Sequence, residues 1–283
     1  MTLSTTLARL KRPSVLPGFA PALGFTLLYL SLVVLLPLGA LVAKASGLGL
    51  GGLWAVAVEP RVLAALETSF GASLAAALID VVFGGIVAWT LTRYHFPGRR
   101  LVDALVDLPF ALPTAVAGIS LAALYAPNGW LGAPLAALGV KIAFTRWGIL
   151  VALTFVGLPF VVRTVQPLIE ELDKEVEEAS ATLGAPRWRT LLWVALPPLV
   201  PGLLAGLALA FARGVGEYGS VIFIAGNLPY VSEIAPLLIV VKLEEYDYVG
   251  ATGVAAIMLA VSFLMLLTIN LLHAWSRRRL GDV

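Results

Sequence analysis

Long, predominantly apolar runs, separated by short segments that carry much of the Lys and Arg, constrain this chain of 283 residues more than any other feature. A run of about twenty apolar residues is the length that an α-helix needs to cross a bilayer. Only 13 % of the residues are charged, against about 25 % in soluble domains. Because lipid-exposed irregular backbone does not occur in the hydrocarbon region, the sequence predicts an all-α protein with several membrane-spanning helices.

Six runs are candidates to cross the membrane, and the basic residues between them predict their orientation. The predicted spans are Ala22–Ala43, Leu66–Thr92, Leu108–Ala126, Trp147–Val165, Pro201–Ala225 and Val249–His273. Basic residues precede the first span, follow the second and the sixth, and lie between the fourth and fifth. Since Lys and Arg concentrate on the cytoplasmic side, both termini are predicted to be cytoplasmic. The expected organisation is an N-terminal segment (1–21), a six-span domain (22–273) containing a cytoplasmic loop (166–197), and a C-terminal tail (274–283).

Two features near the N-terminus have rival interpretations. The first run resembles the core of a signal peptide, but it exceeds the usual length of roughly 7–15 residues, so we expect an uncleaved span. Gly47, Gly49 and Gly52 form the pattern G-x-G-x-x-G. A dinucleotide site of that pattern needs a preceding strand and a following helix. Because the pattern follows a predicted span here, we expect a flexible outer loop.

The residues that most enzymes and metal sites need are scarce in this sequence. It has no cysteine, and its two histidines, His95 and His273, are too far apart in sequence to offer metal-ligand spacing. No Gly-Lys pair occurs, so the phosphate-binding loop of P-loop ATPases is absent. We therefore expect no catalytic residues and no bound metal or cofactor. The formal net charge is only +2 and the basic residues cluster beside the apolar runs, so no nucleic-acid partner is expected either. If ATP drives this protein, a separate polypeptide hydrolyses it.

The polar segment Glu178–Pro197, called the docking loop below, interrupts the apolar pattern. Apolar residues at helical spacing predict a short amphipathic helix up to Leu183. Gly184 is suited to end that helix in the left-handed conformation, and Pro186 to the first position of the next helix. Charged and aromatic side chains of the kind found in protein interfaces follow, and Leu196-Pro197-Pro198 is expected to close the unit. A solvated surface loop is the alternative interpretation. A helix that ends at Gly184 and a second helix that begins at Pro186 favour a rigid protrusion instead.

The docking loop resembles the EAA signature of ABC-importer permeases, which reads E-A-A-x3-G-x9-I-x-L-P. The matching residues, with the intervening positions of interest, are Glu178, Ala179, Ser180, Gly184, Ala185, Pro186, Arg187, Trp188, Val194, Leu196 and Pro197. Ser180 replaces the second alanine of the signature and Val194 its isoleucine, while the spacing is intact. This resemblance implies the type I importer fold, and a loop that seats in a cleft of a separate ATPase subunit.

Further stretches resemble the T-type permease subunit of bacterial sulfate/thiosulfate importers. They are Leu91–Arg100, Asp107–Ser120, Gly157–Pro167, Gly216–Asn227 and Lys242–Tyr248. The resemblance implies a location in the bacterial cytoplasmic (inner) membrane, two ATPase subunits, a related W-type permease chain and an external solute-binding protein. Two alternatives stay open, a homodimeric molybdate or tungstate permease and an ion-gradient carrier that acts alone.

Ionisable residues inside the predicted spans are candidates for the translocation pathway, because such residues usually face a bundle interior or an aqueous cavity. Arg213 and Glu217 are four residues apart and can pair on one helix face, and Asp80 lies in the second span. A structural role for these groups is the competing interpretation. Since a carboxylate repels an anionic cargo, hydroxyl, amide and backbone N–H groups are better contacts for it. The predicted pathway residues are Thr114, Arg213, Glu217, Ser220 and Asn227.

Overall fold

The computed structural model describes residues 18–280, without the side chains of Ala20 and of residues 272–280. Most of the predicted N-terminal segment and the end of the predicted tail lie outside these described residues. Residues 18–280 contain helices and turns and no strand, which confirms the all-α prediction. The described part divides into two compact units, one ending at Gly47 and one beginning at Leu48.

The first unit is one apolar helix. It consists of α1 (Phe19–Leu30), a π-helical stretch (Ser31–Leu35) and α2 (Leu36–Ser46). Residues Pro21–Ser46 are long and apolar enough to cross a membrane, and they contain the predicted first span.

The second unit holds the other described helices. In chain order they are α3 (Gly49–Ala57), α4 (Pro60–Arg93), α5 (Arg99–Val106), α6 (Leu108–Ala111), α7 (Thr114–Tyr125), α8 (Gly132–Ala137), α9 (Arg146–Glu171), α10 (Lys174–Thr182), α11 (Arg187–Arg189), α12 (Leu196–Val215), α13 (Val221–Ile224), α14 (Ala235–Glu244) and α15 (Tyr248–Leu280). The candidate spans among them are Pro60–Arg93, Arg146–Glu171, Arg187–Val215 and Tyr248–Leu271. Five of the six predicted spans therefore correspond to long apolar helices of the described part.

The predicted third span is broken. Helix α6 ends at Ala111, and α7 begins at Thr114. Between them Leu112 is extended, with ψ of 134°, because the residue before a proline is disfavoured from the helical region. Helix α7 has 12 residues and is about 18 Å long, which is shorter than a spanning helix.

Two further expectations are corrected. The predicted fifth span covers Pro201–Ala225, but the helix ends at Val215 and Gly216 begins a non-helical break. The segment Gly47–Gly52 was expected to be a flexible loop, but α3 begins at Gly49. Packing explains this helix: the side chain of Val56 lies so close to Gly253 of α15 that a Cβ placed there would be 3.0 Å away.

The core forms where α4, α9 and α12 meet at small residues. A Cβ placed at Gly84 of α4 or at Gly206 of α12 would lie 3.1 Å from an atom of Val161 on α9. Gly202 faces Leu168 of α9 in the same manner. The G-x-x-x-G pattern of Gly202 and Gly206 thus works as a helix-packing motif, as its sequence predicts.

Candidate docking loop and translocation site

The first arm of the docking loop is a helix with well-formed ends. Asp173 caps α10, since its carboxylate accepts a hydrogen bond of 3.0 Å from the N–H of Glu175. At the other end, Gly184 has φ of +81°. The N–H of Gly184 donates to Ala181 O and the N–H of Ala185 donates to Ser180 O, the two bonds of a Schellman motif. The predicted left-handed stop at Gly184 is confirmed.

The second arm differs from its prediction in two ways. Pro186 lies just before the helix as its N-cap, with ψ of 151°, instead of at the first helical position. Pro197 and Pro198 do not close the unit, because one continuous helix runs from Arg187 to Val215. A proline removes a helical hydrogen bond, and the π-helical stretch Thr190–Ala195 directly before these prolines accommodates that loss.

The two arms are joined to each other, while their outer surface is exposed. The hydroxyl groups of Ser180 and Thr190 lie 3.0 Å apart, so the serine that replaces the family's second alanine links the arms. Leu183 at the tip is 88 % exposed, and Trp193 on the second arm is 76 % exposed. Exposed apolar side chains of this size, beside charged residues, are typical of a surface that binds another protein.

A second cluster of candidate residues lies where two broken helices meet. The break before α7 and the break between α12 and α13 pack against each other. A Cβ placed at Gly219 would lie 3.1 Å from Thr114 Cβ, and one placed at Gly118 would lie 2.8 Å from Ser220 Cα. Discontinuous helices that meet in this way form the binding sites of many transporters.

The predicted pair of Arg213 and Glu217 is present in this cluster. Arg213 Nη1 lies 2.5 Å from Glu217 Oε2, and the Glu217 side chain is 2 % exposed whereas that of Arg213 is 34 % exposed. The other carboxylate oxygen of Glu217 accepts hydrogen bonds from the N–H and the hydroxyl of Ser220. Glu217 and Ser220 are thus buried and hydrogen-bonded to each other, while about a third of the Arg213 side chain remains accessible.

The remaining pathway candidates occupy different places. Thr114 begins α7 and is half-buried beside Gly219. Asn227 lies beyond α13, where its amide donates to Ile222 O at 2.7 Å. The structure therefore brings Thr114, Glu217 and Ser220 together with Arg213 and leaves Asn227 at the far end of a four-residue helix.

Asp80 is enclosed in the core instead of lying at this cluster. It is fully buried, and neither carboxylate oxygen has a hydrogen-bond partner among the described residues. Its Oδ2 fills the space that a side chain at Gly157 of α9 would need.

Several ionic contacts were not anticipated from the sequence. Arg163 binds Asp107 and Asp103 with contacts of 2.6 Å, and Arg61 forms a two-bond pair with Glu233. Arg163 lies inside a predicted span, and an intramembrane arginine signals a carboxylate partner nearby. Arg61 and Glu233 are 172 residues apart, and the sequence offers no signal for their pairing.

A third group lies at the junction of α14 and α15. Lys242 Nζ is 3.3 Å from both Glu59 Oε2 and Asp247 Oδ2. Burial alone would lower the pKa of Lys242, but hydrogen bonds and charges of Asp247 and Glu59 outweigh it and raise that pKa. A hydrogen bond from the Gly250 N–H, together with Lys242, lowers the pKa of Asp247.

Residues 80–282 match the family described as the inner membrane component of binding-protein-dependent transport systems. The chain belongs to this family. Family membership confirms the predicted class, a membrane subunit of a transport system, over a membrane-embedded enzyme.

Relatives of this inner membrane component match it over nearly their whole length. The sulfate transport system permease protein CysT of Synechococcus elongatus is 54 % identical, covering 91 % of this chain and 92 % of the relative. The protein of the same name from Escherichia coli K12 is 50 % identical, covering 94 % and 96 %.

Solved transporters share the fold of this inner membrane component. A chain of a bacterial alginate ABC transporter, solved in complex with a periplasmic protein bound to an alginate pentasaccharide, superposes with a TM-score of 0.75 at 17 % identity. The match covers 93 % of this chain and 95 % of the other. It confirms the ABC-importer permease fold that the docking-loop signature implied.

Proposed function

We propose that this chain is a permease subunit of an ATP-driven importer that moves sulfate or thiosulfate across the bacterial cytoplasmic membrane. The observation that carries the proposal is the docking loop, a capped helix, a left-handed glycine and a second helix that leads into a candidate span. The cargo is supported by relatives named sulfate transport permeases at 54 % and 50 % identity.

The docking loop would receive the motion of a partner ATPase. Leu183 projects at the tip, and charged side chains of both signs flank it. The second arm is continuous with α12, which carries Arg213 in its last turn and leads into the break that holds Glu217. A displacement of the loop is therefore carried along a helix to the break between α12 and α13 without an intervening flexible joint.

The complete importer would contain two ATPase subunits, a second permease chain of the W type and an external solute-binding protein. In the proposed topology the chain crosses the membrane six times with both termini in the cytoplasm, and the broken segment α6–α7 supplies the third crossing. The discontinuity of that segment is compatible with membrane depth, because broken helices are tolerated where protein or a cavity satisfies the backbone.

The proposed pathway runs beside the junction of the two broken helices. The partly exposed side chain of Arg213 would attract the anion, and the first turn of α7 would offer peptide N–H groups and the hydroxyl of Thr114. Glu217 and Ser220 would hold Arg213 in place, since both are buried. Asn227 would line the pathway farther along. Weak contacts of this kind let a permease release its cargo.

Substitution of Gly184 tests the docking role. Proline cannot adopt φ of +81°, so Gly184→Pro should abolish ATP-coupled uptake by the reconstituted complex. Gly184→Asn is the matched control, because asparagine tolerates the left-handed conformation. Full assembly and full ATP-coupled uptake with Gly184→Pro would show that the loop does not couple the two subunits.

Cargo and pathway are tested by uptake of labelled sulfate into proteoliposomes. Arg213→Gln and Glu217→Gln should each lower uptake, whereas Ser220→Ala should alter it less. Competition by molybdate or tungstate at concentrations below those needed for sulfate would replace the proposed cargo with that of the alternative permease class. Unchanged rates and unchanged cargo preference in all three variants would remove the pathway assignment.

A further inference from the structure

Arg93, the last residue of α4, contacts helix α10 although it lies far from α10 in sequence. Its Nη2 donates to Glu177 Oε1 at 2.6 Å and to the backbone oxygen of Leu172 at 3.1 Å. The guanidinium carbon also lies 5.5 Å from the centre of the Trp89 ring. The Arg93 side chain is 9 % exposed and that of Glu177 is 28 % exposed, so this is a partly buried, charge-assisted contact.

This contact gives α10 a third attachment. Through the backbone, α10 connects only to α9 and to the helix that begins at Arg187. Helix α4 has no covalent link to it nearby, since 84 residues separate Arg93 from Glu177. The side chain of Arg93 therefore ties α4 to α10 at the point where both elements would lie beneath a bound ATPase.

The N-terminal half of helix α4 also lies near the Arg213–Glu217 pair of the proposed translocation site. Ser73 of α4 lies so close to Gly214 that a Cβ placed on Gly214 would be 3.2 Å from Ser73 Oγ. Gly214 is the residue next to Arg213. Twenty residues of one helix, roughly 30 Å, thus connect Arg93 with the neighbourhood of the Arg213–Glu217 pair.

We propose that Arg93 is a positioning residue that makes α4 move together with the docking loop, so that ATPase motion reaches the translocation site along α4 as well as along α12. This inference rests on the proposed coupling function. Both hydrogen bonds that tie Arg93 to Leu172 and Glu177 are donated by Nη2, and Nε is buried without a hydrogen-bond partner among the described residues.

The test compares removal of either charge with matched controls in the complete reconstituted importer. The variants are Arg93→Gln and Glu177→Gln, and the charge exchange Arg93→Glu with Glu177→Arg. The controls are Arg100→Gln, an exposed cation near the same helix end, and Glu175→Gln, an exposed carboxylate on α10. ATP hydrolysed per anion imported should rise at least threefold in both single variants, fall back toward the wild-type ratio in the exchange, and stay unchanged in the controls.

A second readout measures the attachment itself without transport. Because the chain has no cysteine, spin labels on His95→Cys and Thr182→Cys report the distance between the end of α4 and the end of α10. Arg93→Gln should broaden that distance distribution, whereas Arg100→Gln should leave it narrow.

Wild-type ratios of ATP to cargo, or an unchanged distance distribution, would overturn the proposal. So would loss of complex assembly in both single variants without recovery in the exchange, which would assign Arg93 a purely structural role. Absence of ATP-dependent uptake in the wild-type complex would instead contradict the proposed function.

Discussion

Gly118 lies at a close approach between the two broken helices, and its replacement by alanine is a sharp test of that junction. A Cβ there would lie 2.8 Å from Ser220 Cα and 2.9 Å from Ser220 C, and closer still to the carbonyl oxygen. All three are backbone atoms, so no side-chain rotation relieves the clash. Helix α7 would have to move by about 1 Å to restore van der Waals separation.

Two opposing effects set the change in the free energy of unfolding caused by Gly118→Ala. Alanine is favoured over glycine inside a helix by about 1 kcal/mol. An added methyl group in a packed site costs about 1–3 kcal/mol, and the cost here is not at the low end because the contacting atoms belong to the backbone of Ser220. We expect Gly118→Ala to be destabilising by about 1–2 kcal/mol, which corresponds to a lower unfolding midpoint by about 2–8 °C on the scale of soluble domains. Uptake should fall as well, because Ser220 holds Glu217.

Thermal unfolding in detergent and uptake in proteoliposomes measure these effects. The matched control is Gly71→Ala, since Gly71 is helical and a Cβ there meets no atom within 4 Å. The control should be unchanged or slightly stabilised. If Gly118→Ala unfolds at the same temperature as Gly71→Ala and transports normally, the close junction of α7 with the break is wrong.

Three further predictions concern charged groups. Asp80→Asn removes a buried carboxylate that has no hydrogen-bond partner in the described part, so the unfolding midpoint should stay or rise; a fall as large as that of Gly118→Ala would contradict this. Arg61→Gln leaves Glu233 buried, and should lower the unfolding free energy by about 1–3 kcal/mol, while the added change Glu233→Gln should recover most of it in a double-mutant cycle. The pKa of Asp247 is lowered in the folded chain. The stability that this shift contributes is present above the unfolded pKa of about 3.9 and is lost as pH falls through the lower folded pKa. Asp247→Asn should remove this loss of stability at acid pH, and identical profiles of unfolding midpoint against pH for the variant and the wild type would refute the prediction.

The sequence predicts the long helices and the docking loop because local physics decides both. Apolar length is sufficient to locate five of the spans, and a glycine before Ala185-Pro186 is sufficient to locate the left-handed stop. The predicted position of Pro186 is wrong by one residue, since an N-cap proline and a first-turn proline share the same φ and differ in their own ψ, which is 151° here.

Features that depend on tertiary contacts could not be predicted from the sequence alone. The helix at Gly49–Ala57 contradicts the low helical preference of its glycines, because packing of Val56 on α15 outweighs that preference. The sequence predicts an unbroken third span across Leu112-Pro113, since a proline near a helix start is often tolerated. The pairing of Arg93 with Glu177 joins elements 84 residues apart, and one sequence carries no signal for it.

The most direct test of the proposed function is uptake of labelled sulfate by purified components in liposomes. Uptake should require this chain, its partner permease, the ATPase subunits, the binding protein and ATP, and it should stop when the docking loop carries Gly184→Pro. Sulfate uptake by this chain alone, driven by an ion gradient without ATP or partners, would contradict the proposal and identify a gradient-driven carrier.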